Sequence, residues 1–223
     1  VFYWSPFISE VATTYAVINS IKSIKKFTNE NKIDCKIIDV FEEWFPYKKI
    51  LNQNNIEIIR LNSNLDIKNL PTKGFIKSRF TYILVFFFSI FKLHKNIKKE
   101  KPDYLIVHLL TILPIILSPI LSRNTKIILR ISGLPKLTFI RIITWKLFSR
   151  YIYKVTAPTK KTLKFLEKTK IFKKNQISLL RDPAIDKDEI LKNKNLPILE
   201  KFKKKRFILS IGRLTKQKNF EFL

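Results

Sequence analysis

The stretch 104-YLIVHLLTILPIILSPILS-122 decides the fold. Its 19 residues carry no formal charge, and a helix needs ~20 apolar residues to cross a bilayer. Read as one helix, it spans a membrane. Read in two pieces, residues 104–108 are a short buried strand, and a helix follows that begins near Pro114. A proline is tolerated in a first helical turn, because the N–H it lacks has no partner there. His108, Pro114 and Pro119 all interrupt a continuous span. Strand followed by helix is therefore the expected reading, with a bilayer span as its competitor. The other apolar run, 80-FTYILVFFFSIFKL-93, covers fourteen positions, which is short for a span.

Working outward, the same alternation recurs on both sides. Residues 1–4 read as a buried strand, and 5–10 as a loop containing Pro6. From Val11 the apolar residues Val11, Tyr15, Ile18 and Ile21 recur at helical spacing, opposite Asn19, Lys22, Lys25 and Lys26. Residues 35–40 and 56–61 read as strands, and 75–97 as a helix running into 98-KKEK-101. Beyond the central stretch, 126–130, 154–157 and 177–180 read as strands. Residues 137–151 read as a helix, and Thr159 is placed to cap a helix running through Phe165. No internal repeat is visible. Strands alternating with helices call for a parallel sheet covered on both faces, so the expected fold is α/β and Rossmann-like. Ligands of such sheets gather at the carboxyl ends of the strands. That singles out Ser5 to Thr14, His108, Ser132 with Gly133, Pro158 with Thr159, and Asp182.

Residues 187–206, KDEILKNKNLPILEKFKKKR, read as a linker or surface helix. A new strand is predicted at 207–211 and the first turn of a helix at 219–223. The expected organisation is a first domain at 1–190, a linker at 191–206 and the start of a second domain at 207–223. The chain opens on an apolar run without methionine and stops in mid-pattern, so a fragment of a longer protein is expected.

Composition narrows the function. Apolar residues make up 46% of the 223, enough for a packed core. The formal charge of +27, from 44 Lys and Arg against 17 Asp and Glu, attracts polyanions: nucleic acid, an anionic membrane or a phosphorylated small molecule. The abundance of Lys, Ile, Asn and Phe together also fits AT-rich coding sequence, for which a lysine surface needs no partner. Few aromatics alternate with the lysines, so the stacking platform of a single-strand binder is not evident, and nucleic acid is not the expected partner. One cysteine, Cys35, allows no internal disulfide and fits a reducing compartment. It reads as core.

Few constellations carry chemistry. In 212-GRLTKQKN-219 a glycine, an arginine fork and a lysine stand between a predicted strand and a predicted helix, where backbone N–H groups hold anions. The blander reading is a turn in a lysine-rich chain. His108 ends an apolar strand, which suits a buried core histidine, or a hydrogen-bond partner for a sugar hydroxyl or reacting group. In 130-RISGLPK-136, Gly133 serves either a strand-to-helix turn or a substrate-lining loop. The pair Asp186 and Asp188 has the spacing for a divalent cation, but no neighbouring ligand completes a set. Two histidines and one cysteine argue against zinc.

Taken together, these elements resemble family 4 glycosyltransferases of the two-domain GT-B fold. The ending 210-SIGRLTKQKNFEFL-223 is similar to the start of that family's second domain, and 5-SPFISEVATTYAVINSIKSIKK-26 to its first loop and helix. Also similar are 108-HLLTILP-114, 130-RISGLPK-136, 156-TAPTKKTLKFL-166 and 181-RDPAID-186. The chain departs from the family in the first loop, where Glu10, Val11 and Ala12 stand in place of a glycine pair. The family's glutamate-rich donor motif does not occur within the 223 residues.

The resemblance implies retaining transfer of a sugar from a nucleotide-diphosphate sugar to a glycan or lipid-linked acceptor, with no obligatory metal or other cofactor. It implies that Gly212, Arg213 and Lys218 hold the donor diphosphate, that His108 contacts the transferring sugar, and that Ala12, Thr13, Gly133 and Thr159 line the substrate. It also implies work at the cytoplasmic face of a membrane. Helix 75–97, with Lys77, Arg79, Lys92, Lys95, Lys98 and Lys99 around an aromatic body, would suit an anionic interface there. A buried core helix is the equal alternative. The competing function is a basic polyanion-binding module.

Overall fold

The computed structural model describes residues 1–8, 12–28, 33–62, 75–183, 185–197, 206, 208–212 and 219–222, with the side chains of 75–79, 188 and 189 left aside. Seven strands form one sheet: β1 (Phe2–Trp4), β2 (Lys36–Asp39), β3 (Glu57–Arg60), β4 (Tyr104–Val107), β5 (Lys126–Arg130), β6 (Lys154–Ala157) and β7 (Ile177–Leu179). Their order is β3-β2-β1-β4-β5-β6-β7 and every pairing is parallel. The decisive stretch is thus β4 followed by helix α4 (Ile112–Leu121). Pro114 lies in the first turn of α4, and Pro119 lies close enough to its end that few helical bonds are lost.

Side-chain alternation along the strands sorts the core into two layers. Trp4, Leu105, Val107, Ile127, Leu129 and Val155 face one side, under helices α3 (Phe75–Glu100), α4, α5 (Phe139–Phe148) and α6 (Lys160–Thr169). Tyr3 and Ile37 face the other, under α1 (Thr13–Phe27) and α2 (Lys48–Gln53). The two groups follow from topology. From β1 the chain moves outward to β2 and β3, then crosses back through α3 to β4 and continues in the opposite direction. Right-handed crossovers taken in opposite directions put their helices on opposite faces.

Several expectations need adjusting. The buried face of α1 is Thr14, Ala16, Val17, Ile18 and Ile21, while Tyr15 is exposed and meets Tyr47 edge-on at 5.9 Å between ring centroids. Helix α2, six residues of KKILNQ, escapes periodicity because it is shorter than two turns. In α3, Val85, Leu93 and Ile97 enter the core. Its segment Phe80–Glu100 is long and apolar enough to cross a membrane by length and composition, but that stripe covers the sheet.

Val1–Ile185 is one compact unit and Asp186–Leu223 another. Within the second, α7 (Lys187–Lys194) is followed by exposed chain and a short 3-10 turn at Phe220–Phe222. The strand predicted at 207–211 does not form: residues 208–211 make no strand pairing, and Ile208 is 90% and Ile211 85% exposed. A strand requires a neighbour to receive its backbone hydrogen bonds, and an apolar run without one does not become a strand. Phe207 lies outside the described residues.

The packing of α3 is directly testable. Leu93→Ala, at a fully buried site, is expected to cost about 2–5 kcal/mol in urea denaturation. Phe91→Ala, at a site 82% exposed, should stay within about 0.5 kcal/mol.

Candidate functional site at the carboxyl edge of the sheet

The chain reverses direction between β1 and β4, which makes this the topological switch point, where open parallel sheets bind ligands. Four polar residues stand at the carboxyl ends of the central strands: Ser5 after β1, His108 after β4, Arg130 closing β5 and Thr156 within β6. All four are buried. Alternation directs them to the α1 side, because Trp4, Val107, Leu129 and Val155 each face the opposite layer. Register brings them into line, with Trp4 opposite Val107, Val107 opposite Leu129 and Arg130 opposite Thr156.

His108 is the centre of this row. Its backbone N–H donates to the Trp4 carbonyl at 2.9 Å, which extends the β1–β4 ladder by one step. The turn beyond it is tight. Leu110 adopts φ 45°, a left-handed conformation uncommon for such a side chain, and its carbonyl accepts from Trp4 Nε1 at 3.2 Å. The imidazole stacks on Tyr3, with centroids 6.1 Å apart and planes at 27°. Tyr3 shares a 2.9 Å hydrogen bond with Ser20 of α1, and burial pushes its phenol well above the ordinary range. Burial first, and the nearby Arg130 charge second, lower the His108 pKa to about 3. The ring is therefore neutral near pH 7 and serves as a hydrogen-bonding group rather than a cation.

Arg130 is the charge beneath this row. Its Nε and Nη2 donate to one carboxylate oxygen of Asp182, at 3.0 and 2.8 Å, and Nη2 also donates to the Arg181 carbonyl at 3.0 Å. Asn19 of α1 donates to the Pro183 carbonyl at 2.8 Å. The turn 181–183 is therefore tied to both β5 and α1. Arg130 was missed as a site residue from sequence. The available signal was a cation closing the apolar run 127–129, followed some fifty residues on by an aspartate beyond another strand end.

Three buried oxygen or nitrogen atoms in the row have no hydrogen-bond partner: Ser5 Oγ, His108 Nε2 and Thr156 Oγ1. Such atoms cost free energy to bury, and natural proteins keep few of them. Among the described residues, side-chain atoms of Asp39, Trp44, Asn62, Ser89, Asn96, Ser118, Thr125 and Trp145 are also buried without a hydrogen-bond partner; Ser5, His108 and Thr156 share one edge of the sheet.

A second buried group adjoins β2. Glu43 accepts from the backbone N–H groups of Val40, at 3.0 and 3.2 Å, and Phe41, at 2.9 Å. Burial, then hydrogen bonding and charge from Asp39, raise its carboxyl well above the usual range. Nothing in the residue pattern of 39-DVFEEW-44 announces this pairing.

Of the remaining sequence-derived candidates, Ala12 and Thr13 follow β1, Gly133 follows β5 and Thr159 follows β6. Ala12 precedes α1 and is exposed, and Thr13 opens that helix half-buried. Gly133 is exposed in the turn after β5; a Cβ there would meet no atom within 4 Å, so packing within the chain does not require glycine. Thr159 caps α6 by accepting from the Thr162 N–H at 3.1 Å, with the two hydroxyls 3.0 Å apart, so its oxygen is engaged by the helix. Gly212 lies in an exposed bend of the second unit, while Arg213 and Lys218 lie outside the described residues. Among the described residues, no three His, Cys, Asp or Glu side chains gather as metal ligands.

This architecture, a seven-stranded parallel sheet wrapped by helices, is that of one half of a GT-B protein. No protein-family profile and no curated protein matches the chain. Among solved structures it is similar to the UDP-GlcNAc 2-epimerase of Neisseria meningitidis bound to UDP-GlcNAc, with 15% identity and a TM-score of 0.53, over 87% of this chain and 50% of that one. It is also similar to a putative UDP-N-acetylglucosamine 2-epimerase of Listeria monocytogenes, with 12% identity and a TM-score of 0.51, over 79% of this chain and 43% of that one. The chain therefore spans about half the length of the structures it matches.

Two outcomes test the site. Asp182→Ala strands the Arg130 charge. Removing one partner of a fully buried pair costs ~3–5 kcal/mol, and the lower end is expected here because the Asp182 side chain is 26% exposed; urea denaturation reads it. His108 reports through pH. Its folded pKa of about 3 lies below the ordinary 6.5, so its contribution is present above about pH 6.5 and is lost as pH falls toward 3. Thermal melting of His108→Gln against the unaltered protein should show a shallower acid decline across that window.

Proposed function

We propose that the chain is the acceptor-side half of a nucleotide-sugar enzyme, and specifically of a retaining glycosyltransferase acting on a glycan or lipid-linked acceptor at the cytoplasmic face of a membrane. The observation that carries this reading is the row of buried, unpartnered polar atoms on Ser5, His108 and Thr156 at the switch point of a GT-B-like sheet. The Neisseria neighbour, with the same fold, is described bound to UDP-GlcNAc. A sugar's hydroxyls offer donors and acceptors at a density that matches such a row.

In this reading Arg213 and Lys218 face the donor diphosphate, whose charge grows as the glycosidic bond breaks. Cations fixed where charge develops lower the barrier, and they would do the work that a divalent cation does in metal-dependent transferases. Gly212 lets the backbone approach the phosphates. His108, neutral, hydrogen-bonds the transferring sugar and does not act as an acid. Ala12, Thr13, Gly133 and Thr159 border the substrate, with Thr159 contributing through the helix end it caps. Domain closure would then exclude water from the reacting centre.

The epimerase neighbours favour a second reading, in which the same half-fold serves inversion at C2 of a nucleotide amino sugar. Incubating the full-length protein with UDP-GlcNAc, with and without acceptor, separates the two. Acceptor-dependent release of UDP supports transfer, and a C2 epimer formed without acceptor supports epimerisation. Arg213→Ala should lower transfer at subsaturating donor by about 100-fold or more. Undiminished activity in that variant would refute the proposed role of the cation.

A further inference from the structure

The outer face of the α3–α4–α5 layer carries an unusual surface. Along α3, Phe80, Ile83, Phe87 and Phe91 fall three or four residues apart, on one exposed stripe opposite the buried Val85, Leu93 and Ile97. Along α5, Phe139, Ile140, Ile143 and Leu147 form a second exposed stripe opposite the buried Trp145. Helix α4 packs against both and contains no charged residue. It adds Ile112 and Ile120 to the exposed set. The exposure is large: Phe91 is 82% and Phe139 78% accessible. Contiguous apolar surface of this kind is rare on a protein meant to stay in water.

Cations follow the same helices. Lys92, Lys95, Lys98 and Lys99 occupy the end of α3, and Lys146 lies near the end of α5. The only acidic residue in either helix is Glu100, which pairs with Lys99 at 3.4 Å. Both helices connect parallel strands, so both run antiparallel to them. Their aromatic ends therefore lie toward the carboxyl edge of the sheet, where His108 stands, and their lysines toward the opposite edge.

We propose that this three-helix face docks on the surface of an anionic lipid bilayer, with the α3 and α5 stripes in the interface and the lysines on lipid headgroups. The choice of occupant rests on charge. A second copy of a chain carrying +27 would bring like rows of lysine together. An anionic bilayer accepts the apolar stripes and the cations at once. The docking is peripheral, because Leu93, Val85 and Ile97 hold α3 to the sheet. It rests on surface chemistry alone and not on the nucleotide-sugar reading.

The test is co-sedimentation of the full-length protein with vesicles of phosphatidylcholine alone or mixed with phosphatidylglycerol. Binding to the mixed vesicles is expected, weakening as salt rises. Replacing Phe87 and Phe91 by serine should weaken it about tenfold or more, and Lys95→Glu with Lys98→Glu should weaken it and flatten the salt dependence. Unchanged thermal melting would confirm that the variants fold. Failure to bind mixed vesicles, or equal binding by the serine variant, overturns the proposal. Retention on the vesicles through carbonate extraction also overturns it, in favour of a spanning segment. So does a dimer in size-exclusion chromatography that the serine variant dissolves while vesicles stay unbound.

Discussion

Parallel strands bury both faces, and much of this molecule follows from that requirement. Each strand pairs only through neighbours reached by a crossover, and each crossover must lay a helix across one face of the sheet. Because the chain steps outward from β1 and then returns to its other side, α1 and α2 cover one face while α3, α4, α5 and α6 cover the other. The same reversal sets the switch point at the carboxyl end between β1 and β4. Site and helix layers are thus two consequences of one strand order.

The polar row at that switch point is kept in place at a cost in stability. Arg130 is nearly inaccessible and has one carboxylate and one carbonyl to satisfy it. A well-packed apolar pair would hold β5 against the 181–183 turn at least as well. What the ion pair adds is a fixed positive field beside His108, which with burial keeps that imidazole neutral. Ser5, His108 and Thr156 retain unpartnered buried atoms in the same row.

The helices over the opposite face work differently on their two sides. Inward, α3 gives the sheet a stripe of aliphatic side chains of ordinary core character. Outward, it and α5 present aromatic and aliphatic rows that remain exposed. A hydropathy reading sums the two sides, so α3 resembles a membrane span in composition while serving as a cover helix in the fold.

Period and punctuation were enough to recover the architecture. The short apolar runs separated by helical repeats defined the parallel sheet, and Thr159 was recognisable as a cap because capping is a local hydrogen bond. His108 was visible as a polar residue where an apolar strand ends. Other features were not legible. Helix α2 was too short to show a period, and Tyr15 joined the apolar stripe of α1 in the pattern yet lies outside the core. The run at 208–211 had the composition of a strand but pairs with no strand among the described residues. Arg130 and Asp182 are fifty-two residues apart, and Asn19 and Pro183 are separated by 164, so no local pattern could join them. Sequence by itself determined most of the strands and helices, because periodicity and capping rest on contacts within a few residues. Tertiary structure alone decided which polar groups share the edge of the sheet and which apolar faces remain uncovered, because both depend on strand order and on contacts between residues far apart in the chain.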